Sequence, residues 1–107
     1  MFNTDWPVVE LNPMFGIWSA VTRQTADGKN PDGWQPEEKV TLEEALTAYI
    51  STPAWAGGKE NVLGKISPGY YADMMELDRD IFEVPADEIK ETRVVRTWFQ
   101  GNIVFGE

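Results

Sequence analysis

Carboxylates are the only abundant groups in this chain with obvious chemistry: eighteen Asp and Glu residues stand against nine Lys and Arg, with no histidine and no cysteine. A two-acid hydrolase needs a pair of carboxyls held at a defined separation. Nothing in the spacing of the eighteen singles out such a pair. Asp27, Asn30 and Asp32 come nearest to a cation loop, but Lys29 and Pro31 fall on the alternate ligand positions of an EF-hand. Imidazole is the usual zinc ligand and the usual general base near neutral pH, so its absence all but excludes a self-contained zinc hydrolase or a serine–histidine hydrolase. With no thiol there is no disulfide, no thiolate metal site and no cysteine nucleophile.

The charge balance narrows the partners. A net charge of −9 disfavours nucleic acid, whose phosphates need a basic surface, and disfavours anionic membranes. A solvated acidic surface that aids solubility is the plainer reading. At 107 residues the chain makes one domain with one modest core. Its apolar fraction of 42% and charged fraction of 25% are ordinary globular usage. No apolar run is long enough to span a bilayer. The N-terminus lacks the pattern of a signal peptide. The compartment stays open, with the cytoplasm favoured.

The elements that must position these groups are legible in order. Pro7 pushes Trp6 toward an extended conformation, so the first ten residues read as a strand end or loop. Asn12-Pro13 is a helix start, and Met14, Ile17, Trp18 and Val21 recur at helical spacing to about Arg23. Turn residues make Thr25 to Glu38 a loop. Thr41-Leu42-Glu43-Glu44 is a capping box opening a helix whose apolar face is Leu42, Ala45, Leu46, Tyr49 and Ile50. Pro53 ends or kinks it, and Gly57-Gly58 stops a further turn at Ala54 to Ala56.

The stretch from Gly64 to Asp78 organises the rest. Pro68-Gly69 is turn chemistry, Ala72 to Leu77 has strand character, and Asp78-Arg79-Asp80 ends it. Pro85 to Lys90 suggests one short helical turn. Arg93 to Phe99 and Asn102 to Phe105 read as a hairpin about Gly101-Asn102. That register sets Phe99 opposite Val104 and Trp98 opposite Phe105. The expected fold is α+β: two main helices packed on a small antiparallel sheet that ends in a C-terminal β-hairpin, with Ile66 as a candidate for an extra short strand. The expected core is Ile17, Val21, Leu42, Leu46, Tyr49, Leu77, Val95, Phe99 and Val104.

Placed on these elements, the combination of Gly64, Ile66, Pro68, Gly69, Ala72, Asp73 and Asp78 resembles the C-terminal signature of the metal-dependent amidohydrolases. The resemblance extends collinearly over nearly the whole chain. Asp5-Trp6-Pro7-Val8 is similar to the segment after the last barrel strand in the YtcJ-like branch, amidohydrolase family 3. Asn12-Pro13, Gly16-Ile17 and Ala20 to Arg23 resemble the next helix. Gly33 to Glu38, Thr41 to Leu46, Asp78 to Phe82 and the final hairpin match in turn. The resemblance divides the chain into residues 1–62, like the last barrel loop and helices, and residues 63–107, like strands of the small β domain.

The resemblance implies a (β/α)₈ barrel with a small β-sandwich in the intact relative, hydrolysing non-peptide carbon–nitrogen bonds at a site with one or two metals, zinc or another divalent ion. It implies that Asp5 matches the aspartate that binds metal and shuttles a proton. The metal-binding histidines and earlier barrel strands have no counterpart here. No metal or cofactor is therefore expected in this chain, and Asp5 is not expected to be active in it. A complete barrel needs far more chain. Glu76 stands where the family buries an aliphatic run, so it either faces solvent or pairs with Arg96.

Two function classes follow: the C-terminal portion of an amidohydrolase-like hydrolase, not catalytic as an isolated chain, or a small interaction or self-association module. Its partner would be a second copy or the missing barrel portion. Removing a barrel should leave apolar faces uncovered. Trp18, Trp34, Trp55 and Trp98 are the candidates for an exposed patch, against the plainer reading that most tryptophans sit in the core.

Overall fold

A computed structural model describes all 107 residues. Helix α1 spans Pro13–Thr22, and the Asn12 side chain accepts from the Met14 N–H at 3.0 Å. It stops at Arg23, left-handed with φ 58°. Helix α2 spans Leu42–Tyr49 and carries the capping box in full: Thr41 Oγ1 accepts from the Glu44 N–H at 3.2 Å, and Glu44 Oε2 accepts from the Thr41 N–H at 2.8 Å. The Pro53 ring has no room beside the carbonyl four residues earlier in a continuous helix. The chain accordingly breaks at Ile50 and restarts as α3, Ser51–Ala56.

Strands β1 (Met74–Leu77), β2 (Val94–Phe99) and β3 (Asn102–Phe105) form an antiparallel sheet in that order. Short 3₁₀ turns occupy Pro36–Glu38, inside the expected loop, and Ala86–Glu91, where a helical turn was expected. The fold is α+β. No helix is long and apolar enough to cross a membrane.

The core lies between α1, α2 and the Ala86–Glu91 turn. Met14, Ile17, Trp18, Ala45 and Ile89 are buried there, and Val21, Leu42, Leu46, Tyr49 and Leu77 pack against them. Lys90 closes one side, its Nζ 4.4 Å from the Trp18 ring centre. Gly16 lets α1 and α2 approach, because a Cβ at that position would run into the Tyr49 hydroxyl.

The sheet departs from the sequence expectation in three ways. The hairpin turn is Gln100-Gly101, with φ of 49° and 81°, the paired positive values of a type I′ turn, and not Gly101-Asn102. Phe99 therefore pairs with Asn102 and Trp98 with Ile103; a bulge then brings Thr97 opposite Phe105. The expected pairs Phe99–Val104 and Trp98–Phe105 do not form, because the turn sits one residue earlier. Val95, Phe99 and Val104, expected in the core, are 43%, 56% and 60% exposed. The physical reason is that no element of this chain packs over them.

Ile66 lies in no strand and is well exposed. Of the tryptophans, only Trp18 is buried, whereas Trp6, Trp34 and Trp55 are exposed and Trp98 is half-buried. Glu76 does both things expected of it: it is half exposed, and its carboxylate meets Arg96 Nη1 across the strands at 3.2 Å.

The total surface reflects this openness. A compact chain of this mass exposes about 6,000 Å², whereas this one exposes 7580 Å². Its radius of gyration is 14.8 Å, against about 13 Å for a compact domain of this length.

Candidate functional site

Asp5, the residue that the resemblance singles out, lies in a turn. Its φ is 49°, and its carbonyl accepts from the Val8 N–H at 2.9 Å. Its side chain is exposed and enters no salt bridge. The chain has no histidine, and no three of its acidic side chains gather in a group that could hold a metal ion. The donor set does not fit a catalytic zinc, which takes three protein ligands and keeps one position open.

The other acids of the signature stretch have structural work. Asp73 stands just before β1, and its Oδ1 accepts from the Gln100 N–H at 2.7 Å. The neighbouring Ala72 carbonyl accepts from the Gly101 N–H at 3.0 Å. Together they hold the β2–β3 turn against the start of β1. Asp78 stands just after β1, and its Oδ1 accepts from the Arg93 N–H at 3.0 Å and from Arg79 Nε at 3.2 Å. The backbone N–H of Arg93, assisted by Arg79, holds its carboxyl below the usual carboxylate range. One aspartate at each end of β1 thus ties down one end of β2. Hydrogen bonding to backbone N–H groups thus gives both aspartates a structural task.

Asp27 is likewise local. Lys29 and the Thr25 hydroxyl bring its pKa down to about 2. Lys29 Nζ lies 2.8 Å away, in the place of a cation.

The feature that sequence reasoning did not locate is a cleft of ≈ 1070 Å³ between the α2–α3 corner and the sheet. Leu46, Tyr49, Ile50, Pro53 and Ala54 contribute to its lining from the helices, and Met75, Thr97, Phe99 and Val104 from the strands. Burial holds the Tyr49 phenol above its ordinary pKa. The one signal for this cleft in the sequence is the absence of charge: residues 45–58 and 97–106 contain no Asp, Glu, Lys or Arg. The lining is mixed: Lys59, Lys65 and Asp73 stand at the cleft beside the apolar side chains, and with no group of ligating or nucleophilic side chains among them the surface suits packing against protein.

The profile of the amidohydrolase family matches residues 1–105. The N-substituted formamide deformylase of Arthrobacter pascens is 36% identical over 98 residues, which are 92% of this chain and 18% of that protein. The protein named "Putative amidohydrolase YtcJ" of Bacillus subtilis (strain 168) is 30% identical over 102 residues, 95% of this chain and 19% of its own length. Protein LONG AFTER FAR-RED 3 of Arabidopsis thaliana is 29% identical over 102 residues, 95% of this chain and 17% of its own. No solved structure gives a significant match. The chain spans less than a fifth of the length of these curated relatives. With a match that runs from its first residues to its last strand, the chain belongs to the amidohydrolase family.

Proposed function

We propose that this chain forms the C-terminal portion of a metal-dependent hydrolase acting on non-peptide carbon–nitrogen bonds, and that it is not catalytic by itself. The observation that carries this reading is the end-to-end family match to less than a fifth of each relative. The missing histidines and the uncovered cleft support it. The metal and the polarised carbonyl belong to the remainder of the enzyme. This segment supplies the scaffold that closes the fold, and Asp5 supplies a carboxylate at the site's edge.

A chimera tests the reading. The matching segment of the Arthrobacter pascens deformylase is replaced by this chain. The expected product is folded and retains metal-dependent deformylase turnover. Asp5→Asn in the chimera should then lower kcat by at least about 100-fold, the weight of a positioned proton-transfer group. The isolated chain should show no turnover of formamides or other amides with or without zinc. Zinc-stimulated hydrolysis by the isolated chain, or a folded chimera with full activity after Asp5→Asn, would contradict the proposal.

A further inference from the structure

The segment that carries Asp5 is held at both of its ends by one side chain. Upstream, the Phe2 ring meets the Tyr49 ring edge-on, with 5.7 Å between centres and 73° between planes. The Phe2 N–H donates to the Ala48 carbonyl beside it at 3.0 Å. Downstream, the chain enters α1 at Pro13. Within the first turn of that helix Gly16 faces the Tyr49 hydroxyl so closely that a Cβ would run into it. Between these two points Asp5 is left-handed, with φ 49°, a conformation that a residue with a side chain keeps only where its surroundings hold it. The Val8 N–H closes the turn on the Asp5 carbonyl at 2.9 Å. The Asp5 side chain is exposed and enters no salt bridge. Its direction is therefore set by the backbone that carries it, and that backbone is set by its two ends.

We propose that Tyr49 is a positioning residue for Asp5: with Phe2 seated on its ring and α1 packed on its hydroxyl, it fixes where the Asp5 carboxylate stands in the assembled enzyme. This role rests on the reading of the chain as the C-terminal portion of a hydrolase. Tyr49 acts through the Asp5 segment and not on the reacting atoms. Rates are sensitive to such support, since a misplacement of about 1 Å caused from a distance costs about 100-fold. Tyr49 is well placed for the task because it belongs to the last turn of α2, a helix fixed at its other end by the Thr41–Glu44 capping box.

Two measurements test this, with circular dichroism as the check of folding. In the 107-residue chain, ¹⁵N relaxation should give the Asp5 and Val8 amides order parameters near those of rigid backbone, about 0.85. Tyr49→Ala should bring them below about 0.6 and leave Trp18 to Thr22 unchanged. Tyr49→Phe keeps the ring that Phe2 meets and should keep Asp5 and Val8 ordered. In the deformylase chimera, Tyr49→Ala should lower kcat at least about tenfold with KM changed by less than about threefold. Added to Asp5→Asn, it should cost nothing further, because a residue that works through Asp5 then has nothing to position. If Tyr49→Ala does not fold, Phe2→Ala is read in its place by both measures. Unchanged order at Asp5 and Val8 in the folded variant, or a loss of kcat as large in the Asp5→Asn chimera as in its parent, overturns the proposal. A chimera indifferent to Asp5→Asn would instead refute the hydrolase reading, and the relaxation measurement would still decide whether Tyr49 orders the turn.

Discussion

The helical cluster and the sheet of this molecule are both rich in apolar residues but finish differently. Around α1 and α2, Met14, Ile17, Trp18, Ala45 and Ile89 close on one another and exclude water. In the sheet, the three strands pair in a defined register, with a bulge in each pairing, and aspartates hold both ends of β2, yet Val95, Phe99, Ile103, Val104 and Phe105 all remain exposed. Backbone order and hydrophobic burial are thus separable. The first is satisfied within this chain, and the second in the sheet is left to whatever covers it.

Truncation separates the two regions most sharply. Trp18→Ala removes a side chain that is 1% exposed and should cost about 3–5 kcal/mol in chemical denaturation. Phe99→Ala removes one that is 56% exposed and should change the stability of the monomer by less than about 0.5 kcal/mol. Equal losses would mean that the sheet has a core of its own.

Gly16→Ala comes next. An exposed helical Gly→Ala change ordinarily stabilises by about 1 kcal/mol. Here the added methyl meets the Tyr49 hydroxyl, and the sign should reverse to a loss of about 1–3 kcal/mol, the usual cost of overpacking. Gly16→Ala combined with Tyr49→Phe should recover part of that loss.

On the sheet side, Asp73→Ala frees the Gln100 N–H and should cost about 1 kcal/mol, the net worth of an ordinary hydrogen bond. Its effect should appear in the amide exchange of the β2–β3 turn before it appears in global unfolding.

The smallest effect is electrostatic. The folded pKa of Asp78 lies below its unfolded value of 3.8, so the unfolded state takes up a proton first as the pH falls. The stabilisation that Asp78 provides is complete above about pH 5, where both states are ionised, and is lost as the pH drops through the folded pKa. Asp78→Asn should lower stability modestly at neutral pH, where the ionised Asp78 contributes in full, and converge with the wild type at acid pH, so that the acid limb of the stability profile flattens. An unaltered acid limb would remove Asp78 from the sheet's electrostatics.

The helices were legible because their signals are local. Asn12-Pro13, the Thr41–Glu44 capping box and Pro53 act within a turn or two of chain, and each does in the structure what its chemistry requires. The Glu76–Arg96 pair was legible as one of two outcomes for a lone charge inside an apolar strand, and the register sets the two residues directly opposite each other. The β2–β3 register was not, because Gln100 adopts positive φ, a conformation that Gly101-Asn102 advertises more strongly than Gln100-Gly101.

Exposure of Val95, Phe99 and Val104 was not legible from their own pattern either. An alternating apolar strand reads the same whether or not its covering layer is in the chain. Asp73 and Asp78 carried a family resemblance that pointed to an enzyme, and the structure gives both a hydrogen-bonding task at the ends of β1.

Native-state hydrogen exchange, read residue by residue, tests most directly the claim that one region is complete and the other is not. The amides of Trp18 to Thr22 in α1 and of Leu46 to Tyr49 in α2 should exchange only through global unfolding. Those of β2 and β3 should open at markedly lower free energy in the monomer. Protection of β2 and β3 equal to that of α1, measured under monomeric conditions, would show that the sheet needs no covering layer and would contradict the account.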